Sequence, residues 1–412
     1  MNIGIIGLGK LGLPCAVAMT LKGHNVMGYD VDPSLMSKNA RTYREAGIDG
    51  TGDFNPLLAE SNLQFGSLEQ VAEHSELIFI AVQTPHEKEF EGVTRIPDER
   101  ADFDYSYLES AVSELSKVVK SKTVVTIIST VLPGTFREHV LPHTNEHMDL
   151  CYNPYFIAMG TTMRDFLNPE FVLCGVHSQS ASEKLIEFYG SIHNAEIFST
   201  TVENAELIKV AYNTFIGMKI VFANTMMEIC HKTPNTDVDS VTKALCLGTT
   251  RLLSPKYLKG GMGDGGGCHP RDNIALSWLS RKLDLSYDWF ESVMIAREKQ
   301  TEWLADLMLE HDLPKAILGY SFKAETNLTV GSPALLLKNI LEERGEKVWT
   351  YDPQVESTVP DFKSLDAMVF LIGANHPELK DFPFPKDSVV IDPWRYIPDN
   401  PNYKLIKIGS LG

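Results

Sequence analysis

The chain has 412 residues, 43% of them hydrophobic and 22% charged, which is ordinary for a globular protein and too long for a single core. A net charge of −17 argues against a nucleic-acid or anionic-lipid surface, so an anionic ligand has to be met by helix N-termini, loop amides and a few placed cations. Six cysteines, at 15, 151, 174, 230, 246 and 268, form no CxxC pair and no metal-ligand spacing. With no basic leader and no apolar run long enough for a bilayer, they predict a cytoplasmic protein without disulfides or metal.

The opening run Asn2-Ile3-Gly4-Ile5-Ile6 is a buried-type strand. It leads into Gly7-Leu8-Gly9-Lys10-Leu11-Gly12, a helix to about Lys22, and a second strand, Asn25–Tyr29, that closes on Asp30. The three glycines do different things. Gly7 allows the tight turn, Gly9 lets a pyrophosphate approach the backbone, and Gly12 lets helix and strand pack closely. The helix start adds free amides and partial positive charge. Asp30 stands 18 residues after Gly12, where a carboxylate holds the adenosine ribose hydroxyls and repels a 2′-phosphate, so NAD is expected rather than NADP. Further strands are predicted at Leu77–Val82, Thr123–Ile128, Phe171–Cys174 and near Ile197, alternating with helices up to about Thr200. The polar stretch from Gln83 to about Asp102 is expected to be a surface excursion.

Thr200-Thr201-Val202-Glu203 has the pattern of a capping box, with Thr200 as N-cap and Glu203 reaching back, and helical periodicity then runs to about His231. Lys209 and Asn213, four apart, share one face of that helix. Helices are predicted near Asp237–Leu247 and Ser286–His311, and between them lies Gly260-Gly261-Met262-Gly263-Asp264-Gly265-Gly266-Gly267-Cys268-His269-Pro270-Arg271-Asp272. Six glycines in eight positions suit a backbone that approaches a ligand closely, and the run delivers a thiol with a cation and a carboxylate at hand. The plain alternative is a turn carrying an inert cysteine. After Leu313-Pro314, strands at Ala316–Leu318, Lys347–Tyr351, Ala367–Ile372, Val389–Ile391 and Leu405–Ile408, with a helix through Ala334–Arg344, predict a second α/β unit. It lacks GxGxxG, so a second dinucleotide site is not expected. The fold class is therefore α/β, with two doubly wound Rossmann-like parallel-sheet domains, 1–200 and 312–412, joined by a central long-helix domain, 201–311.

The glycine loop with Cys268, the Lys209-x-x-x-Asn213 helix and the amino-terminal nucleotide fold together resemble the nucleotide-sugar dehydrogenases, the family of UDP-glucose 6-dehydrogenase and its GDP-mannose and UDP-N-acetyl-hexosamine relatives. The likeness runs end to end, through Gly7–Pro14, Val82-Gln83-Thr84-Pro85, Ser129–Thr135, Glu206–Asn213, Gly261–Asp272 and Gly319-Tyr320-Ser321-Phe322-Lys323. The resemblance implies an NAD domain, a central dimerisation domain and a carboxy-terminal domain that holds the nucleoside diphosphate, in a homodimer. It implies oxidation of the sugar's C6 alcohol to a carboxylate with reduction of two NAD. By the same resemblance Cys268 is the nucleophile, Lys209 deprotonates the alcohol or stabilises an oxyanion, Asn213 helps hold that oxyanion, Asp272 orients or activates water, and Thr130 lies near the reacting carbon. NAD would be held by Gly7, Gly9, Lys10, Leu11, Gly12, Asp30, Thr84, Pro85 and Thr130. The substrate would be held by Tyr155, Phe156, Lys209, Asn213, Arg251, Tyr257, Gly261, Gly265, Phe322 and Lys323. Arg251, Lys256, Lys259 and Arg271 form a cationic cluster suited to a diphosphate.

The chain departs from the family at several positions. Asn153-Pro154-Tyr155-Phe156-Ile157-Ala158-Met159-Gly160 replaces Asn-Pro-Glu-Phe-Leu-x-Glu-Gly, so an aromatic and a thioether stand where two glutamates flank the sugar. Val330 replaces an arginine that touches NAD, Asp264 replaces an aromatic and Gly267 a serine. One outcome keeps the full four-electron oxidation of a UDP-sugar, most simply UDP-glucose, with Asp272 aided by Asp264 as the water's partner. The others are an enzyme altered in outcome or substrate, or a silent protein that binds NAD and a nucleotide sugar.

Overall fold

A computed structural model describes residues 1–249, 259–282, 288–358 and 366–410, apart from the side chains of Thr225, Ile229 and Trp289. The chain forms two compact units: residues 1–85 with 103–211, and residues 86–102 with 212–412.

In the first unit, β1 (Asn2–Ile6), α1 (Gly12–Leu21), β2 (Asn25–Tyr29), α2 (Phe54–Glu60), β3 (Gln64–Phe65), α3 (Leu68–His74), β4 (Leu77–Ile80), α4 (Ser106–Val118), β5 (Thr123–Ile127), β6 (Met148–Tyr152), α5 (Thr162–Leu167), β7 (Phe171–Val176), α6 (Gln179–Gly190) and β8 (Glu196–Thr201) follow in order. The eight strands line up as β3-β2-β1-β4-β5-β6-β7-β8, parallel except for the antiparallel β6–β7 pair. The first six positions of that order are those of a dinucleotide-binding sheet. β1, β4 and β5 are apolar runs because helices cover both faces; Leu77, Ile78, Phe79 and Ile80 are all fully buried.

The long helix α7 (Val202–Lys232) starts one residue later than the spacing predicts. Thr201, not Thr200, accepts the Asn204 N–H (3.3 Å), and Glu203 pairs with Arg137 (2.7 Å) instead of reaching back. Asn204 Nδ2 donates to Thr200 Oγ1 (3.0 Å), so the N-cap bond moves to Thr201 and a side-chain bond to Thr200 stands in place of the reciprocal half of the box.

The second unit continues with α8 (Val238–Cys246), α9 (His269–Lys282), α10 (Trp289–Leu309), β9 (Lys315–Leu318), α11 (Pro333–Glu343), β10 (Val348–Tyr351), β11 (Val369–Ile372), β12 (Val389–Asp392) and β13 (Lys404–Lys407). Its sheet, β10-β9-β11-β12-β13, is parallel throughout. Residues 86–102, expected as a surface excursion, fold into this unit. Phe90 is buried with Ile274 and Met294, Arg100 Nε donates to Ser277 Oγ (3.1 Å), and Arg95 pairs with Glu298, Glu302 and Glu343. Among the described residues no helix is long and apolar enough to cross a membrane.

Candidate active site

The nucleotide turn is built as its glycines require. Gly7 has φ +96°, donates to Tyr29 O (2.9 Å), and a Cβ there would meet Ala81 O at 2.7 Å. A Cβ on Gly12 would lie 1.9 Å from Gly7 O. Gly9 is the opposite case: nothing stands within 4 Å of its Cβ position, which leaves an open cradle before α1, and no side chain caps that helix at Leu11. Asp30 is fixed at the end of β2 by Leu8 N–H (2.7 Å) and Asp32 N–H (2.9 Å), both donating to its carboxylate. This turn fits a dinucleotide. Gly12→Ala is expected to weaken NAD binding by about 100-fold or more (~2.7 kcal/mol), read by titration calorimetry, because the methyl has no room against the Gly7 carbonyl.

At the carboxyl ends of β4 and β5, Thr84 Oγ1 donates to Thr130 O (2.7 Å), which ties two of the expected NAD contacts together, and Pro85 O accepts Asp104 N–H (2.8 Å). Lys10 is exposed and Leu11 half-buried. Lys209, 6% exposed, lies with its Nζ 5.3 Å from the centre of the Phe156 ring. Tyr155 turns inward and is buried between Phe79 and Phe166. Burial pushes its pKa well up. A pocket in this unit is lined by Asn153, Phe156, Asp165, Phe171 and Tyr189 with Tyr155.

Glu206 had no role in the sequence reading, although an acid in an apolar helix is a signal. It is fully buried on α7 and accepts Gly134 N–H and Phe136 N–H, both at 2.7 Å. Burial raises its pKa from 4.5 to about 7, against the pull of those two donors. The folded state therefore holds this proton up to about pH 7 while the unfolded chain loses it near 4.5. The group's stabilising contribution is full below pH 4.5, falls by at most ~1.4 kcal/mol per pH unit, and is gone above about 7. Glu206→Gln removes that slope. The melting temperature of the variant relative to the parent should rise between pH 4.5 and 7 and level off above it.

In the second unit the thiol stands immediately before a helix that the sequence reading missed. α9 begins at His269, and Asp272 N–H donates to Cys268 O (2.8 Å). The helix start beside Cys268 favours an anion there. Pro270 and Asp272 were its start signals, masked by the glycine run. Among the described residues Cys268 and Cys246 are the two partly exposed cysteines. Asp272 is fully buried: Asn213 Nδ2 donates to its Oδ2 (2.6 Å) and Arg271 Nε and Nη2 to its Oδ1 (3.1 Å each). His86, from the 86–102 segment, is held neutral at pH 7. Burial pushes its pKa down to about 4, Arg271 acts in the same sense, and Asp272 opposes them.

The glycines of the loop have protein neighbours. A Cβ on Gly261 would run into the Trp394 ring (2.4 Å), one on Gly265 into Pro333 (2.8 Å) and Gly331 O (3.0 Å), and one on Gly266, at φ +86°, into Phe322 (3.0 Å). Asn224 accepts Gly261 N–H (2.8 Å) and donates to Met262 O (2.9 Å). Phe322 thus packs two residues before the thiol, and Lys323 Nζ lies 5.3 Å from the Phe322 ring centre. Val330 approaches Gly267, 3.8 Å from its Cβ position. Asp264, expected to aid the water, is paired inside the protein: its carboxylate lies 3.2 Å from Arg297 Nε, and it is as buried as Asp272. Arg251, Lys256 and Tyr257 fall outside the described residues.

A dinucleotide turn closed by a fixed acid, and a loop that presents a thiol at a helix start, are the parts of an NAD-dependent dehydrogenase. Residues 1–193 match the NAD binding domain of the UDP-glucose/GDP-mannose dehydrogenase family and residues 203–298 match its central domain; the chain belongs to that family, uses NAD and is an oxidoreductase. It is 30% identical over 368 residues to a UDP-glucose 6-dehydrogenase of Rickettsia bellii (86% of this chain, 81% of the relative). It is 29% identical over 377 residues to a GDP-mannose 6-dehydrogenase of Pseudomonas aeruginosa (86% and 82%). The fold is similar to that of a UDP-glucose dehydrogenase from Pyrobaculum islandicum, with TM-score 0.85, 24% identity and coverage of 100% and 98%.

Proposed function

We propose that this chain oxidises the C6 alcohol of a nucleotide sugar, UDP-glucose in the first instance, to the uronate in two oxidations on one enzyme. The observation that carries the reading is Cys268 at the start of α9 with Asp272 and Asn213 bonded behind it. Bound NAD supplies the hydride acceptor for each oxidation. Lys209 takes the alcohol proton as the aldehyde forms. The Cys268 sulfur then adds to the aldehyde carbon, and Asn213 steadies the oxyanion of the thiohemiacetal. Loss of the second hydride leaves a thioester, and water oriented by Asp272 cleaves it to the carboxylate and the free thiol. In this reading residues 1–200 hold NAD, 201–311 carry the thiol and dimer surface, and 312–412 hold the nucleoside diphosphate. Phe215 and Phe222, exposed to 42% and 48% and seven residues apart on α7, support a homodimer along that helix.

A second reading has its own observation. Tyr155 is folded into the core and Met159 is a thioether, so no carboxylate occupies either family position beside the sugar, which favours an enzyme slow at thioester hydrolysis. A panel of UDP- and GDP-sugars with NAD, read for NADH yield and product, tests both, since relatives of either nucleotide class are equally similar. UDP-glucose turned over to uronate supports the first reading. Preference for another sugar, or acylated Cys268 accumulating, supports the second.

A further inference from the structure

Arg297, on α10 and 2% exposed, reaches three separate segments with one guanidinium. Nε donates to Asp264 O (2.8 Å), Nη1 to Gly92 O (3.0 Å) and Nη2 to Gly331 O (3.2 Å). The Asp264 carboxylate stands 3.2 Å from the same Nε, and no hydrogen bond reaches either of its oxygens among the described residues. A buried carboxylate needs a partner, and here the partner is Arg297. On the other side, a Cβ on Gly217 would come within 3.0 Å of Asp264 Oδ2, so the pair is closed in by α7.

The consequence falls on the thiol. From Asp264 to Cys268 the chain passes through Gly265, Gly266 and Gly267, which impose little conformational preference of their own. Where the sulfur stands is therefore decided by what packs beside these glycines and by what holds the two ends. Upstream, Arg297 grips Asp264 by backbone and carboxylate. Downstream, Gly92, whose carbonyl Arg297 also holds, lies close against the first turn of α9: at φ +72°, a Cβ added there would fall 2.3 Å from Pro270 Cβ. The guanidinium spreads its donors over three nitrogens, one for each of these carbonyls, whereas an ammonium offers all of its donors from a single point.

We infer that Arg297, paired with Asp264, is a positioning residue for the nucleophile loop, fixing the Cys268 sulfur from both sides without touching substrate. The inference rests on the reading of Cys268 as the nucleophile. The test is Arg297→Lys in the full chain, with two readouts. One is the rate of Cys268 alkylation by iodoacetamide relative to Cys246, followed by peptide mass spectrometry on enzyme without substrate. The other is kcat against KM for the nucleotide sugar. The expected result, in a variant that melts like the parent, is at least threefold faster relative alkylation of Cys268, with kcat down tenfold or more and KM changed less than threefold. An alkylation ratio unchanged in such a variant overturns the inference. If Arg297→Lys melts early, Asp264→Asn, which keeps the shape and removes the charge, is read by the same ratio. Failure of the parent to oxidise any nucleotide sugar would count against the proposed function, and the alkylation ratio would still decide the role of Arg297.

Discussion

Replacing Cys268 with serine is expected to lower uronate formation by ~10⁴-fold or more while leaving the melting temperature unchanged. The reasoning is chemical. An aldehyde has no easy route to a second hydride loss until a nucleophile adds to it, and a serine hydroxyl without a paired base is a far weaker nucleophile than a thiol beside a helix start. The first oxidation needs no thiol, so the variant should still release up to one NADH per sugar, with aldehyde as product. The side chain is partly exposed, so the fold should tolerate the change. Uronate yield unaltered by the substitution would remove the covalent route.

The second large effect is expected from Asp272→Asn. In the parent its two oxygens divide the work, one accepting from Asn213 and the other from Arg271. An amide has one acceptor oxygen, so one of those bonds is lost and Arg271 loses its counter-charge. The stability cost should be about 1–3 kcal/mol, below that of a fully buried pair because Arg271 keeps 19% of its side chain exposed. Turnover should fall by ~10²–10⁴-fold. If Asp272 serves the water, the loss should lie in thioester cleavage, so that acylated Cys268 accumulates and is seen by mass spectrometry. A variant equally slow but with no acyl group on Cys268 would place the role of Asp272 before the thioester.

Much of this was legible in the residues. Gly7, Gly9 and Gly12 ahead of a helix, with Asp30 at the next strand end, define the turn through steric demands that are local in sequence, and the structure realises them. The second sheet was equally readable, because its buried parallel strands are unbroken apolar runs between turn residues. What was missed depends on partners distant in sequence. Residues 86–102 look like surface by composition, yet Arg95 and Arg100 find their carboxylates about 200 residues on, at Glu298 and Glu291. Asp264 has the composition of a second acid for the water, and only the fold brings Arg297 to it. β3 is two residues long and β6 includes Asp149, so neither offered a run to read. The composition of the glycine loop suits a close approach to a ligand, but that Trp394, Pro333 and Phe322 also stand against its glycines depends on residues distant in sequence.

The most direct measurement is the ratio of NADH formed to nucleotide sugar consumed by the parent enzyme, with the product identified by mass spectrometry. Two NADH per sugar with a uronate is the expected result. One NADH with a released aldehyde would contradict it.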